Sequence, residues 1–332
     1  MAYVPTGMDS RSTGLAHQMS TYYTSRALDQ LRTTFRFKDV CQSDMIPKRN
    51  GRSIQWYRWD KLAAQTTPSV DGTVPTSGTV SNNIVGAELS QFSAFLSASD
   101  LLVATQIDNV IEAMSDQLGY QAGQTVDRLT RDQIDAFSGS VTVSLFSTYP
   151  TAQDLRGGVA ILQGFDALPL EDGDYRFICH PYTWFDIIND PAANGYADIF
   201  KHTTTNTAMK DNADVRKDAV GRFAGVKIQT TTNVKVTSGT PNTYRSYMFA
   251  KNGIGCASLE GWKPSDVTDP NSQKFKINVI PGGRPDKTDP TGEIGGMVSY
   301  KFAYVVTLLD GPDGIGGNYR YRVWENPTLL GL

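Results

Sequence analysis

The sequence predicts an α+β fold, and three observations carry the prediction. Ile46 to Ala63 reads as an extended segment with bulk on both faces. Ser99 to Phe137 carries one long amphipathic helical pattern without a proline. The chain from Thr151 onward mixes short strands and helices before ending in two long strand-like runs. These give five parts: residues 1–45 as an N-terminal arm, 46–98 as an extended hairpin loop and 99–148 as a spine helix opening a peripheral domain. An inserted α/β domain at 149–275 and closing strands at 276–332 complete the order.

The arm is polar apart from one helical patch, where Leu28, Leu31 and Phe35 recur at helical spacing beside Arg26, Arg32 and Arg36. In the next stretch, Ile54, Trp56 and Arg58 alternate with Gln55, Tyr57 and Trp59, so neither face is simply polar. About twenty residues rich in Thr, Ser, Pro and Gly follow Lys61, and Ile84 to Leu96 reads as a returning strand. Two strands joined so far from their base form a protruding hairpin, roughly 30–40 Å long at about 3.3 Å per residue. Such a ribbon is unstable alone in water, so it must lie on something. Its two-faced chemistry points to a second copy.

Ser99 or Asp100 is a fit N-cap for the spine. Val103, Ile107, Val110, Ile111, Met114, Leu118, Ala122, Val126 and Leu129 line one side, with Asp108, Glu112, Asp116 and Asp127 opposite. Gly119 and Gly123 are its weak points, and the expected length is about 50 Å. Thr151 to Asp154 resembles a capping box for a helix to about Leu162. Strands are expected at Tyr175–Cys179, Val226–Thr230 and Arg245–Ala250, a helix at Thr183–Ile188, and a polar loop over 192–217. Val298, Tyr300, Phe302, Tyr304, Val306 and Leu308 share one strand face. That strand and the run after Asp310–Gly317 are expected to pair as an antiparallel ribbon along the spine.

Composition narrows function. The 332 residues are 39% hydrophobic and 20% charged, enough for a real core. A formal net charge of −3 argues against a dedicated nucleic-acid condenser. Charge is nonetheless segregated: Met1 to Lys61 holds ten basic against five acidic residues, and Gly86 to Ser140 two against eight. These blocks can meet within a chain or between copies. Three scattered cysteines imply no disulfide framework, and no signal peptide or membrane span is expected. His17, His180 and His202 lack metal-site spacing, and no nucleophile elbow, phosphate loop or dinucleotide fingerprint occurs. Glu171–Asp174 and Asp310–Gly314 read as turns rather than calcium loops. The Arg/aromatic runs Trp56–Trp59 and Tyr319–Arg322 read as protein-interface chemistry more readily than as nucleic-acid stacking.

The order of arm, hairpin, spine, insertion and closing strands resembles the Hong Kong 97-type fold of tailed-phage major capsid proteins. Local wording is similar to the phage N-four-type major capsid family: Ile46-Pro47-Lys48 with Asn50-Gly51-Arg52, and Val70 to Pro75, where Asp71 replaces that family's usual Glu. Ser99-Asp100, Ile107-Asp108, Leu118-Gly119, Gln121-Ala122-Gly123 and His180-Pro181 also match, best over residues 45–185. The resemblance implies a coat protein, not an enzyme and without cofactor, that forms pentamers and hexamers in an icosahedral shell around non-specifically held double-stranded DNA. It further implies a virion component assembled in the host bacterial cytoplasm, with scaffold, portal and decoration proteins as candidate partners and no membrane. Arg32 and Arg36 on the arm, with Trp56, Arg58 and Trp59 on the hairpin, are the expected subunit contacts. A hydrolase acting as a small oligomer, or another phage structural protein, is the alternative.

Overall fold

A computed structural model describes residues 35–106, 109–137, 149–189, 219–260, 275–281, 294–309 and 320–328, with isolated gaps at 48, 60, 61, 63, 70, 73, 75, 76 and 81. Residues 22, 23, 26, 27 and 30 of the N-terminal segment are also described, all helical. The centre is a five-stranded sheet in which β12 (Ile294–Leu308) bonds to β4 (Ser90–Ser99), β10 (Ile254–Leu259) and β11 (Phe275–Pro281), and β10 bonds in turn to β1 (Gln42–Ile46). Across one face of β12 lies helix α2 (Val110–Phe137). The period-2 run from Val298 to Leu308 is buried as its spacing requires, and Ile111, Leu118, Ala122, Val126 and Ile134 of α2 meet it. Thr130 of α2 lies 3.1 Å from the Tyr304 hydroxyl, so this polar pair inside the contact is satisfied.

A second sheet runs β13 (Tyr321–Pro327), β9 (Thr243–Phe249), β5 (Tyr175–Cys179), β7 (Val226–Thr230), β6 (Ala219–Phe223), with the short β8 (Val236–Thr237) beside β9. It is apolar on both faces. Ile178, Tyr247, Phe249, Tyr321 and Val323 face the α2 core, while Phe177, Met248 and Trp324 face a separate core under α3 (Ala152–Gly164) and α4 (Pro181–Ile188). Helix α3 starts where the sequence says: Thr151 and Asp154 form a capping box. The chain α4 begins at Pro181, and His180 caps it, its Nδ1 accepting from the Tyr182 amide at 3.2 Å.

The N-terminal segment is tied to α2. Arg26 forms ion pairs with Glu112 and Asp116, so the basic and acidic blocks meet within the chain. Ala27 rests so closely on Gly119 that a Cβ there would lie 2.3 Å from the Ala27 carbonyl oxygen. Further on, Asp127 is fully buried, and its Oδ1 accepts the backbone amides of Arg36 at 2.9 Å, Phe37 at 2.7 Å and Lys38 at 3.4 Å. Asn233, beyond β7, donates to its Oδ2 at 3.5 Å. One carboxylate thereby joins the arm, the spine and the second sheet. Burial raises its pKa above the ordinary 3.8, only partly offset by the amides that it accepts.

Five expectations need correction. The spine is two helices: α1 (Asp100–Thr105), capped by Ser99, ends with Gln106 extended, and α2 starts after Asn109, whose Oδ1 accepts from the Glu112 amide. Asp127 belongs not to a solvent face but to the core. The returning strand is broken at buried Leu89, with β3 (Asn82–Glu88) pairing β2 (Ser53–Trp59) and β4 pairing β12. The closing ribbon does not form, because β13 pairs β9 in the second sheet while β12 stays in the first. By the same token β10, placed by sequence in the insertion, belongs to the sheet of β12. The polar segment over 192–217 and the arm leucines lie outside the described residues.

Gly119→Ala should gain about 1 kcal/mol of helix propensity, yet the overlap with Ala27 should outweigh it and cost about 1–3 kcal/mol. Faster proteolysis of the arm together with a lower Tm checks this. Asp127→Ala leaves buried amides without an acceptor and should cost about 1–3 kcal/mol. Between the ordinary carboxylate pKa and Asp127's raised value, the folded state holds a proton that the unfolded chain has released. Stability contributed by this group therefore falls as pH rises through that window. Asp127→Asn should flatten that decline relative to wild type in denaturation curves recorded across pH.

Candidate assembly surface

Strands β2 and β3 form a separate two-stranded sheet in which Trp56 faces Val85, Tyr57 faces Ile84 and Trp59 faces Asn82. Its base is set by a turn at Pro47–Gly51, where Asn50 donates to the Pro47 carbonyl and Arg49 and Gly51 take positive φ angles. Opposite, the Leu89 amide donates to the Arg52 carbonyl at 2.8 Å, and a surface ion pair joins Arg52 to Glu88. Such an exposed pair adds at most about 1 kcal/mol.

The inner face packs on the chain itself. Trp56 is buried with Ile46, Leu89, Ala257 and Ala303, lies against Gly255, and donates its indole N–H to Asp44 Oδ2 at 2.5 Å. The outer face is different. Tyr57 is 60% exposed, Trp59 64% and Ile84 55%, and Leu62, Val74 and Val80 continue the exposed apolar surface toward the tip. Within that tip Asp71 and Gly72 lie in a turn, with Gly72 at φ 79°. Aromatic side chains so exposed on a narrow ribbon resemble interface anchors rather than ordinary surface.

The five residues expected at subunit contacts thus fall in different settings. Trp59 stands on the open face, and Trp56 is taken up by its own chain because the pleat turns it toward β1 and β10. Arg58 lies in β2 opposite Asn83. Arg36 gives its amide to Asp127 and a guanidinium N–H to the Phe35 carbonyl at 2.8 Å, and Arg32 is outside the described residues. Sequence reasoning put Tyr57 on the same face as Trp59 without naming it a contact, and it missed Ile84, which only the β2–β3 register sets beside them.

Other candidates resolve into structure. His180 is the α4 cap, packed edge-on against Tyr182 and at a tilt against Tyr244, with its pKa lowered by burial. Glu171–Asp174 is a turn around Gly173, and its Asp172 and Asp174 pair with Arg176 and Arg222. Tyr321 is buried in the core. Asp135 accepts from Arg245 at 2.9 Å and from the Tyr247 hydroxyl at 3.0 Å, and Arg245 also bonds Glu325, which stitches α2 to the second sheet. His17, His202 and Asp310–Gly314 lie outside the described residues.

A sequence profile described as phage capsid protein matches residues 84–315. No curated protein matches the chain. Among solved structures, the capsid of Ralstonia phage GP4 is similar at 12% identity, covering 87% of each chain with a TM-score of 0.66. The capsid of cyanophage P-SCSP1u is similar at 12% identity, 88% of each chain and a TM-score of 0.60. That of Helicobacter pylori bacteriophage KHP30 has 10% identity over 86% of this chain and 87% of the other, at 0.57.

Removing the two tryptophans should separate their settings. In chemical denaturation of dissociated subunits, Trp56→Ala should cost about 3–5 kcal/mol. Trp59→Ala should stay within about 0.5 kcal/mol of wild type.

Proposed function

The chain belongs to the phage capsid protein family and has the Hong Kong 97-like fold, and from this premise we propose how its copies build a shell. It is a major capsid protein, a structural part of a virion that works as an oligomeric shell rather than by catalysis. In our reading the copies form pentamers and hexamers that close into the icosahedral head of a tailed phage around double-stranded DNA, which they hold without sequence preference. Assembly takes place in the host bacterial cytoplasm. Scaffold, portal and decoration proteins are further partners.

The observation that carries this reading is the split character of the hairpin. Its inner side is anchored by Trp56, and its outer side presents Tyr57, Trp59 and Ile84 to solvent. Covering such side chains stabilises by about 1.5–3 kcal/mol each. A neighbouring copy that receives this face gains a contact which is modest alone and repeated at every subunit. Closure then makes the whole cooperative, since each copy is held by several neighbours at once. In the same reading Arg58 adds a cationic contact from the hairpin, and Arg32 and Arg36 make contacts from the arm. Beyond Lys61 the exposed tip, with Val74 91% exposed, extends the reach toward the next copy.

Sedimentation velocity with negative-stain imaging tests the proposal. Wild type should form closed particles or rings of five and six, alone or on co-expression with phage head genes. A Tyr57→Ala/Trp59→Ala double variant should remain a folded subunit that forms none. Normal shells from that variant would overturn the role given to the hairpin.

A further inference from the structure

The sequence holds three Asn–Gly pairs, and the structure puts two of them in opposite settings. Asn50–Gly51 lies in the turn between β1 and β2, where Arg49, Asn50, Gly51 and Arg52 are all exposed. The Asn50 amide donates to the Pro47 carbonyl at 3.3 Å, and Gly51 takes a φ of 85°. Apart from its chain neighbours, no heavy atom of the described residues lies within 4 Å of where a Cβ on Gly51 would stand. Asn252–Gly253 joins β9 to β10 instead. Asn252 is exposed there, but Gly253 is buried and its carbonyl accepts the Leu309 amide at 3.1 Å. A Cβ on Gly253 would lie 3.2 Å from the Arg320 carbonyl oxygen, so this glycine is hemmed in. The third pair, Asn194–Gly195, lies outside the described residues.

We propose that Asn50 is a site of spontaneous deamidation, where the folded chain converts a neutral amide to a carboxylate at the root of the hairpin. A following glycine leaves the main-chain nitrogen unhindered and lets the backbone reach the conformation that ring closure needs. The Gly51 nitrogen gives its proton to hydroxide and attacks the side-chain carbonyl carbon of Asn50. A C–N bond forms there, and the side-chain nitrogen leaves as ammonia, taking a proton from water. Water then opens the cyclic imide. Opening at one carbonyl gives aspartate; opening at the other gives isoaspartate, whose main chain runs through the side-chain carbon. One water is consumed and one ammonia released, with no change of oxidation state. Exposure matters because water must enter and ammonia must leave. Arg49 and Arg52 flank the pair in sequence, and a nearby cation favours both the anionic nitrogen of the attack and the carboxylate that results. That carboxylate competes with Glu88 for Arg52, and isoaspartate lengthens the turn joining the body to β2. The enclosure of Gly253 denies Asn252 the same reaction.

Full-length subunits are incubated in mildly alkaline buffer made with heavy-oxygen water, then digested and mapped by mass spectrometry with electron-transfer fragmentation, which separates aspartate from isoaspartate. In the folded chain Asn50 should convert many-fold faster than Asn252, to a mixture of both products carrying heavy oxygen. In guanidinium the two sites should convert at similar rates, because only the fold protects Asn252. Asn50→Gln should stop the reaction at that position, since glutamine needs a larger ring. Asn50 left intact in the folded chain would overturn the proposal, and so would conversion of Asn252 at the same rate there.

Discussion

Strand β12 runs fifteen residues beneath helix α2, and the alternate residues from Val298 to Leu308 lose their contact with water there. The other elements take their positions from this contact. Because β12 also bonds β4, the hairpin that precedes β4 must emerge from the edge of the central sheet. Because α2 is buried on a second side by Tyr247, Phe249 and Tyr321, the second sheet is held to the same helix. The arm then reaches α2 through Arg26, the close approach at Gly119 and the carboxylate of Asp127. A helix enclosed on so many sides tolerates a buried charge only where backbone amides surround it, as they do at Asp127.

The hairpin follows another logic. A two-stranded sheet has too little core to hold itself, so Trp56, Ile46 and Leu89 anchor its inner face to the body. That anchorage leaves the aromatic outer face and the free strand edges of the ribbon facing solvent. Edges and apolar faces are what soluble monomers normally conceal. A shell subunit has reason to keep them if other copies supply their neighbours, as proposed for this hairpin. The body is thus self-sufficient, whereas the ribbon, on the proposed reading, is completed by other copies.

Much of this was legible in the sequence wherever the signal is local. The period of two over Val298–Leu308, the capping box at Thr151 and the cap at Ser99 each act within a few residues. Most of the departures involve contacts between distant segments. Nothing in the spacing of Ile84–Leu96 says that Leu89 divides partners, because either pairing satisfies the same alternation. Asp127 matches a polar helix face until the arm covers it. The break before α2 did leave a trace, since Asn109 followed by Glu112 is a cap signal, but the apolar rhythm on both sides concealed it. Strand β13 leaves its neighbour β12 because Trp324 fills space against Gly158 on the far side of the second sheet. Alternation along β2 already put Tyr57 and Trp59 on one face, but that Ile84 joins them is a property of register, invisible until the strands are paired.

Hydrogen exchange, compared between dissociated subunits and assembled particles, tests the central claim most directly. Amides of α2 and β12 should be equally protected in both, because their packing is internal to each chain. Those of β2 and β3 should exchange readily in the subunit and become strongly protected in the particle. Equal protection of the hairpin in both states would contradict the account, since the ribbon would then be completed by its own body and not by a neighbour.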